Sequence, residues 1–367
     1  MTGSPTLAVG LMSGTSLDGM DAALVRLTGP TQVELVGFTH LGYTRDYRSR
    51  VAEAIETGVA RDLAMLHVAI ANWAVEAVGE LLAATHCKAS ALDFIAFPGQ
   101  TIWHEPPAVT WQLGEPALLA EAFGVRVVSN FRPRDLAAGG EGAPLVPMAD
   151  VLLFGAEHPR VLLNIGGMAN LTYVARKAVE EGAFAFDTGP GMAVIDELAR
   201  RVDPSLPYDL EGRVAAAGLP NEAVLKELLA DEFFAAPPPK STGREWFGLP
   251  YVEALGGRVA GPDGVATAVE LTARTIAGAV ARWVPPVSEV VVSGGGRHHP
   301  VLMASLRRRL AQGCALRDFD ELFFTGDAKE AVAFALLGYL AIHGQPGNLP
   351  AATGARGSRV LGAITPA

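Results

Sequence analysis

Two glycine-bearing turns contain the residue types best suited to hold a polyphosphate. The first follows the apolar run 7–12, and the second is Gly166-Gly167, inside the hairpin signal 161–175. Glycine lets the backbone approach an anion closely, and exposed N–H groups in such a turn can bind phosphate oxygens. Two such turns predict a nucleotide-using enzyme built from two similar halves around a cleft. The candidate nucleotide-binding residues of the first turn are Gly14, Thr15, Ser16, Leu17, Asp18, Gly19, Met20 and Asp21.

The first turn also indicates a magnesium ion. No lysine lies in either turn, and the chain contains neither the G-x-x-x-x-G-K-[ST] nor the G-x-G-x-x-G motif. Phosphate would therefore be bound by backbone amides, hydroxyl groups and a metal. A carboxylate beside phosphate requires Mg²⁺ because the two anions repel, so Asp18 is the candidate metal ligand. An ordinary tight hairpin is the alternative, although it would not require two acids.

Asp187 is the candidate general base. It follows the strand signal 183–186 and opens a turn that continues Thr188-Gly189-Pro190-Gly191 into a helix. An aspartate at the carboxyl end of a strand projects into a cleft, where it can accept a proton from a reacting group. An Asx turn or a helix cap formed by the same side chain is the alternative.

Two further loops could contact the rest of the ligands. Gly294, Gly295 and Gly296 follow the strand signal 290–292, and their lack of side chains permits close passage of adenosine. A metal site at His298 and His299 is disfavoured because the side chains of adjacent residues diverge. The loop around Thr101 combines hydrogen-bonding groups with Trp103, as sugar pockets do, although Trp103 could equally belong to local core.

The elements that must position these loops alternate between strands and helices. Strands are predicted at 7–12, 20–27, 33–41, 94–97, 125–128, 183–186 and 290–292, and helices at 62–86, 192–201, 214–231, 263–283 and 331–342. This order is α/β, and the repeated hairpin opening suggests duplication of one unit. The glycine-rich stretch 137–144 is the predicted hinge between domains.

Composition excludes several classes of protein. The net charge of −10, with a pI near 5.3, argues against a nucleic-acid partner, which needs a concentrated basic face. Cys87 and Cys314 stand far apart, so a reducing compartment is expected. The N-terminus lacks a signal-like segment, and the apolar stretch 331–342 is too short to cross a bilayer. We therefore expect a cytoplasmic protein with no membrane partner.

The chain resembles the anhydro-N-acetylmuramic acid kinases in segments that follow one another along its whole length. These segments are 12–19, 99–101, 139–145, 164–167, 187–191, 240–245, 327–331 and 348–350. The resemblance implies a two-domain actin-like ATPase (RNase H-like) fold, with duplicated mixed β-sheet domains, flanking helices and an interdomain cleft. Residues 1–133 with 344–367 would form domain I, and residues 134–343 would form domain II.

The resemblance also implies a reaction and roles for individual residues. These kinases use ATP to open 1,6-anhydro-N-acetylmuramic acid and phosphorylate O6 in peptidoglycan recycling, usually as homodimers. Asp187 matches their catalytic aspartate, while Thr101, Arg134 and Glu330 fall in segments assigned to the sugar. The chain departs from the family pattern at Pro98, Asn130 and Glu141. A conventional hexose kinase and a non-catalytic actin-like or chaperone-like nucleotide-binding module are the alternatives.

Overall fold

The computed structural model describes residues 5–14 and 17–367, except for the side chain of Arg244. The chain forms two compact units. Unit 1 comprises Met1–Phe154 and Ala328–Ala367, and unit 2 comprises Gly155–Asp327. A discontinuous first unit was expected, but both boundaries differ from the predicted ones.

The main sheet of unit 1 has six strands in the order β13-β7-β4-β1-β2-β3. β1 pairs antiparallel with β2 and parallel with β4, while β2 pairs antiparallel with β3. A separate antiparallel hairpin is formed by β5 and β6. The strands are β1 (Thr6–Met12), β2 (Gly19–Leu27), β3 (Val33–Gly42), β4 (Phe94–Phe97), β5 (Gln100–Glu105), β6 (Val109–Leu113), β7 (Val127–Ser129) and β13 (Ala363–Thr365).

The helices of unit 1 bury apolar faces against this sheet. In α2, Leu66, Ile70, Ala74 and Leu81 recur at helical spacing and lie in the core. The helices are α1 (Arg45–Thr57), α2 (Ala60–Ala84), α3 (Pro116–Phe123), α4 (Pro133–Ala137), α5 (Val146–Ala149), α15 (Lys329–Ile342) and α16 (Pro350–Thr353). By length and composition α2 could cross a membrane, but a buried core helix passes the same test.

Unit 2 repeats the strand arrangement of unit 1. Its five-stranded sheet has the order β10-β9-β8-β11-β12, in which β8 pairs antiparallel with β9 and parallel with β11. The first five strands of each sheet therefore have the order third, second, first, fourth, fifth, which confirms the predicted duplication and the α/β fold class. The strands are β8 (Arg160–Ile165), β9 (Met168–Val174), β10 (Phe184–Pro190), β11 (Glu289–Ser293) and β12 (Ala315–Asp318).

The helices of unit 2 include the long α12, which was predicted at 263–283. The single helix predicted at 214–231 is wrong, because Gly218 and Pro220 lie in a break between two short helices. The helices are α6 (Met192–Val202), α7 (Arg213–Ala216), α8 (Glu222–Leu228), α9 (Glu232–Ala235), α10 (Arg244–Phe247), α11 (Leu249–Arg258), α12 (Gly261–Trp283), α13 (Pro300–Arg309) and α14 (Phe319–Leu322).

The predicted hinge at 137–144 is also wrong, because the wholly buried Asp135 anchors this stretch within unit 1. The Oδ2 atom of Asp135 accepts a hydrogen bond of 2.8 Å from the backbone N–H of Gly142. Its Oδ1 accepts bonds of 2.7 Å from Asn348 and 2.8 Å from Thr353. These bonds tie the glycine-rich stretch to the C-terminal segment of the same unit.

Helix α15 belongs to unit 1 and not to the second domain, where it was predicted. It packs on β1 so closely that a Cβ atom at Gly10 would overlap the carbonyl oxygen of Ala331. The absence of a side chain at Gly10 therefore permits this contact. Lys329, at the start of α15, forms a buried ion pair of 2.8 Å with Asp150. Both contacts place Glu330 on unit 1.

Candidate active site

Asp187 lies in β10 at a β-bulge, opposite Asn170 of β9. Its backbone N–H donates to the carbonyl oxygen of Lys240 at 3.0 Å. The backbone N–H of Thr242 donates to its Oδ2 atom at 2.8 Å. Two hydrogen bonds with the segment 240–242 thus fix both the main chain and the carboxylate. The carboxylate is therefore held in a defined position, as a general base requires.

Lys240 interacts electrostatically with this carboxylate. Its Nζ donates to the carbonyl oxygen of Phe233 at 2.7 Å and lies 4.5 Å from the centre of the Phe233 ring. Desolvation and the positive charge of Arg282 lower the pKa of Lys240, while Asp187 opposes this shift. The side chain of Lys240 therefore interacts electrostatically with the candidate base while its own hydrogen bond is made to the main chain.

The Gly166-Gly167 turn joins β8 to β9 and is held by backbone groups. The carbonyl oxygen of Gly167 accepts hydrogen bonds from Gly191 and Ala193, at 2.9 and 3.1 Å. The carbonyl oxygen of Gly166 accepts one from Met192 at 2.8 Å. The turn is thus attached to the start of α6, which follows the strand that carries Asp187.

The Gly294–296 loop lies beside the same turn, since β11 and β8 are neighbours. Gly294 has a φ of 82°, and a Cβ atom there would lie 2.6 Å from the carbonyl oxygen of Ile165. Both the backbone conformation and the close approach therefore require glycine. A Cβ atom at Gly295 would meet nothing within 4 Å, so this part of the loop is open to a ligand.

Side chains hold the first turn, in unit 1. Ser13 Oγ lies 2.5 Å from Gln100 Oε1, 2.9 Å from Tyr43 Oη and 3.0 Å from the carbonyl oxygen of Gly19. Gln100 Nε2 in turn donates to the carbonyl oxygen of Gly14 at 3.1 Å. Burial raises the pKa of Tyr43 to about 12, so its hydroxyl group remains protonated and can donate.

The predicted nucleotide-binding residues of this turn have different environments. Leu17 has a φ of 55°. The side chain of Met20 is wholly buried, so only the backbone of Met20 could reach a ligand. Asp18 is exposed, whereas Asp21 pairs with His40 at 2.6 Å between carboxylate and Nδ1. Thr15 and Ser16 lie outside the described residues.

The candidate sugar residues of unit 1 are only partly brought together. Thr101 lies on β5 with its hydroxyl 3.5 Å from Gln112 Nε2. Arg134 is exposed, whereas Arg132 is half-buried and interacts electrostatically with Glu330. Desolvation and the positive charge of Arg132 lower the pKa of His104 on β5. Arg132 is therefore better placed than the predicted Arg134 to act with Glu330.

Glu330 lies among other carboxylates. Its side chain is accessible to solvent, but surrounding protein atoms remove part of its hydration and raise its pKa. The charges of Asp21 and Asp18 raise it further, while Lys329 and Arg132 oppose the shift. No group of three His, Cys, Asp or Glu side chains in the described part of the chain is arranged to hold a metal by itself. These acids suit a cation that keeps phosphate and water ligands, as Mg²⁺ does.

The sequence did not lead to a prediction for several residues of these hydrogen-bond networks. Ser13 and Gln100 lie in the segments 12–19 and 99–101 that resemble the family, and a polar side chain at the end of an apolar strand is a signal that could have identified them. Nothing near Tyr43 or His40 in the sequence indicated a partner, because both contacts depend on strand register. The segment 240–242 lies in a stretch that resembles the family, but the sequence did not predict that this segment contacts Asp187.

Comparison with known proteins identifies close relatives over nearly the whole chain. A family model described as anhydro-N-acetylmuramic acid kinase matches residues 6–367. The protein of that name from Xanthomonas axonopodis pv. citri is 41% identical, over 98% of both chains. Its namesake from Caldanaerobacter subterraneus subsp. tengcongensis is 38% identical, over 98% of this chain and 96% of its own.

Two solved structures are among the matches in three dimensions. Component A of the Acidaminococcus fermentans (R)-2-hydroxyglutaryl-CoA dehydratase has a TM-score of 0.44 and 14% identity, covering 90% of this chain and 96% of its own. A ROK family glucokinase from Streptomyces griseus, in complex with glucose and AMPPNP, has a TM-score of 0.39 and 13% identity, covering 90% and 98%.

Proposed function

The chain belongs to the anhydro-N-acetylmuramic acid kinase family, and we propose that it converts 1,6-anhydro-N-acetylmuramic acid, ATP and water into N-acetylmuramic acid 6-phosphate and ADP. The full-length family match supports the substrate. The single structural observation that carries the chemistry is the carboxylate of Asp187, fixed by the N–H of Thr242.

The reaction couples ring opening to phosphoryl transfer. In the substrate, O6 is bonded to C1 and cannot attack phosphorus until that bond weakens. A water molecule attacks C1 while Asp187 takes one of its protons. The C1–O6 bond breaks with its electron pair on O6, which attacks the γ-phosphorus as ADP leaves. The proton on Asp187 is then released to solvent.

Unit 1 would bind sugar and phosphate groups. Arg132 and Glu330 provide a cation and a carboxyl group with a raised pKa, and Thr101 provides a hydroxyl group on the nearby hairpin. A bound Mg²⁺ would neutralise charge on the phosphates, and the exposed Asp18 is the residue proposed to hold it. The backbone of the first turn would bind phosphate oxygens.

Unit 2 would supply the base and the nucleotide loops. The Gly166-Gly167 turn and the open Gly295 leave main-chain groups accessible for phosphate and adenosine. We also propose a cytoplasmic homodimer, as the family resemblance implies. Light scattering after gel filtration tests that assembly, and a monomer mass would contradict it.

The Asp187→Asn variant tests the proposed function. General-base catalysis contributes about 10²–10⁴-fold, so turnover should fall by at least about 10²-fold while ATP still binds. Asp203→Asn is the matched control, because Asp203 is an exposed acid of the same unit. Near-normal turnover by Asp187→Asn would reject the base assignment.

Isotope incorporation distinguishes the two kinase reactions. Water labelled with heavy oxygen should place label at C1 of the product, because the ring is opened by hydrolysis. Product formed without label at C1 would contradict ring hydrolysis. Turnover of free hexoses in preference to the anhydro sugar would instead favour a conventional hexose kinase.

A further inference from the structure

Four polar residues form one row across the sheet of unit 2. Asp187 of β10 is paired with Asn170 of β9, which is paired with Asn164 of β8. Asn164 is in turn paired with Ser293 of β11. The row lies next to the Gly166-Gly167 turn and the Gly294–296 loop, where the nucleotide is proposed to bind.

The row points away from the main core of unit 2. Directly paired residues of neighbouring strands share a face, and adjacent residues along a strand alternate between faces. Leu163, Leu171, Phe186 and Val292 precede or follow the four polar residues and belong to the core on the opposite face. Asn164, Asn170 and Asp187 are half-buried, so this face remains accessible to small molecules.

Packing and internal hydrogen bonding do not explain the carboxamide of Asn170. Within the described part of the chain, this side chain makes no protein hydrogen bond. By contrast, Asn164 Oδ1 lies 3.4 Å from Ser293 Oγ. The amide of Asn170 is not among the fully buried unpaired groups of the described residues, so it can bind water or a ligand. Asn170 therefore has hydrogen-bonding capacity directly beside the base.

We propose that Asn170 is a positioning residue for the water that Asp187 deprotonates. This inference rests on the proposed function. Cβ atoms of directly opposed residues lie about 4.5–5.5 Å apart, so two short side chains can reach one water between them. The water donates one hydrogen bond to Asp187 and the other to the carboxamide oxygen of Asn170. Both protons are then directed away from the lone pair that attacks C1.

A neutral amide suits this position better than an acid. One proton passes to Asp187, while the other stays on the oxygen and becomes part of the new C1 hydroxyl group. The amide does not compete for either proton. A second carboxylate at position 170 would raise the pKa of the pair, because two like charges in one site disfavour ionisation.

Two variants of Asn170 test the proposal. Asn170→Ala should lower kcat about 10- to 100-fold, because misplacement of a reactant has effects of that size, while the KM for ATP stays unchanged. Asn170→Asp has nearly the shape of the native side chain. It should move the acidic limb of the pH profile of kcat/KM upward by about one pH unit.

The controls separate positioning from a structural role. Asn221→Asp makes the same change at the exposed N-cap of α8, where an aspartate can also cap, and should leave both limbs unchanged. An unchanged kcat in Asn170→Ala, or an unmoved acidic limb in a folded Asn170→Asp, would overturn the inference. If Asp187→Asn is inactive in the same assays, the proposed function survives that outcome. If Asp187→Asn is active, both are rejected.

Discussion

The two sheets have the same strand order but carry different side chains at the ends of their opening hairpins. In unit 1 the second strand carries Asp21, which is paired with His40 of the third strand. In unit 2 the second strand carries Asn170, and the acid, Asp187, is on the third. The strand order is therefore repeated, but the residue types differ: Asp21 contacts His40 in unit 1, whereas Asp187 lies opposite the neutral amide Asn170 in unit 2.

The turns of these hairpins are also held by different groups. In unit 1 the first turn is fastened by the side chains of Ser13 and Gln100. In unit 2 the Gly166-Gly167 turn is fastened by its own carbonyl groups to the start of α6. Removing a polar side-chain group at the first turn should therefore lower the free energy of unfolding. At the Gly166-Gly167 turn, adding a Cβ atom where the backbone is in close contact should lower it.

The largest effect is expected from Gly191→Ala in unit 2. A Cβ atom there would overlap the carbonyl oxygen of Gly166 and lie 2.9 Å from the carbonyl carbon of Met168. Backbone atoms cannot rotate away as a flexible side chain can. The free energy of unfolding, measured by denaturant titration, should therefore fall by about 3 kcal/mol.

Gly167→Ala is the matched control for this stability measurement. A Cβ atom at Gly167 would lie an ordinary 3.7 Å from its nearest neighbour, the Cβ of Ala193. Its free energy of unfolding should stay within about 0.5 kcal/mol of the wild type. Equal losses in the two variants would contradict the idea that backbone contact with Gly191 holds this turn.

A smaller effect is expected from Ser13→Ala in unit 1. The change removes a buried hydroxyl group and leaves Gln100 Oε1 without that hydrogen bond. An unsatisfied buried polar group costs about 1–3 kcal/mol, so the unfolding free energy should fall by about 2 kcal/mol. Ser205→Ala, at an exposed serine, is the control. If both serine variants unfold like the wild type, side chains do not hold the first turn.

The sequence pattern predicted the helices and strands better than it predicted the contacts between their side chains. The hairpins around Gly14 and Gly166 and the helix α12 follow from alternation, glycine turns and helical spacing, which are local properties of the chain. The single helix predicted at 214–231 is wrong because Gly218 and Pro220 interrupt it, and these two residues are a local signal for a break.

Long-range contacts explain what the sequence did not reveal. The stretch 137–144 was predicted as a hinge or crossing between domains, but Asp135 beside it binds partners more than 200 positions away in the same unit. Likewise, no local feature distinguishes Arg132 from Arg134 as the partner of Glu330. The roles proposed for Asp187, Thr101 and Glu330 stay predictions until the variants are measured.

The smallest effect concerns the acidic side chains that surround Glu330 in unit 1. Desolvation, Asp21 and Asp18 raise the pKa of Glu330 above its ordinary 4.5. A carboxyl group with a raised folded-state pKa stabilises the fold below its unfolded pKa, and this contribution is lost as pH rises through the folded value. Glu330→Gln cannot ionise, so its unfolding temperature should match the wild type near pH 4 and exceed it near pH 8.

The gain should be below about 1 kcal/mol, because the side chain is exposed and solvent screens its charge. Glu180→Gln, at an exposed acid of unit 2, should show no such pH-dependent gain. In the Asp21→Asn background the advantage of Glu330→Gln should shrink, because one of the charges that raise the pKa is gone. A difference that is constant with pH, or largest in acid, would mean that these carboxylates do not repel one another. The charges of Asp21 and Asp18 would then not destabilise the ionised form of Glu330.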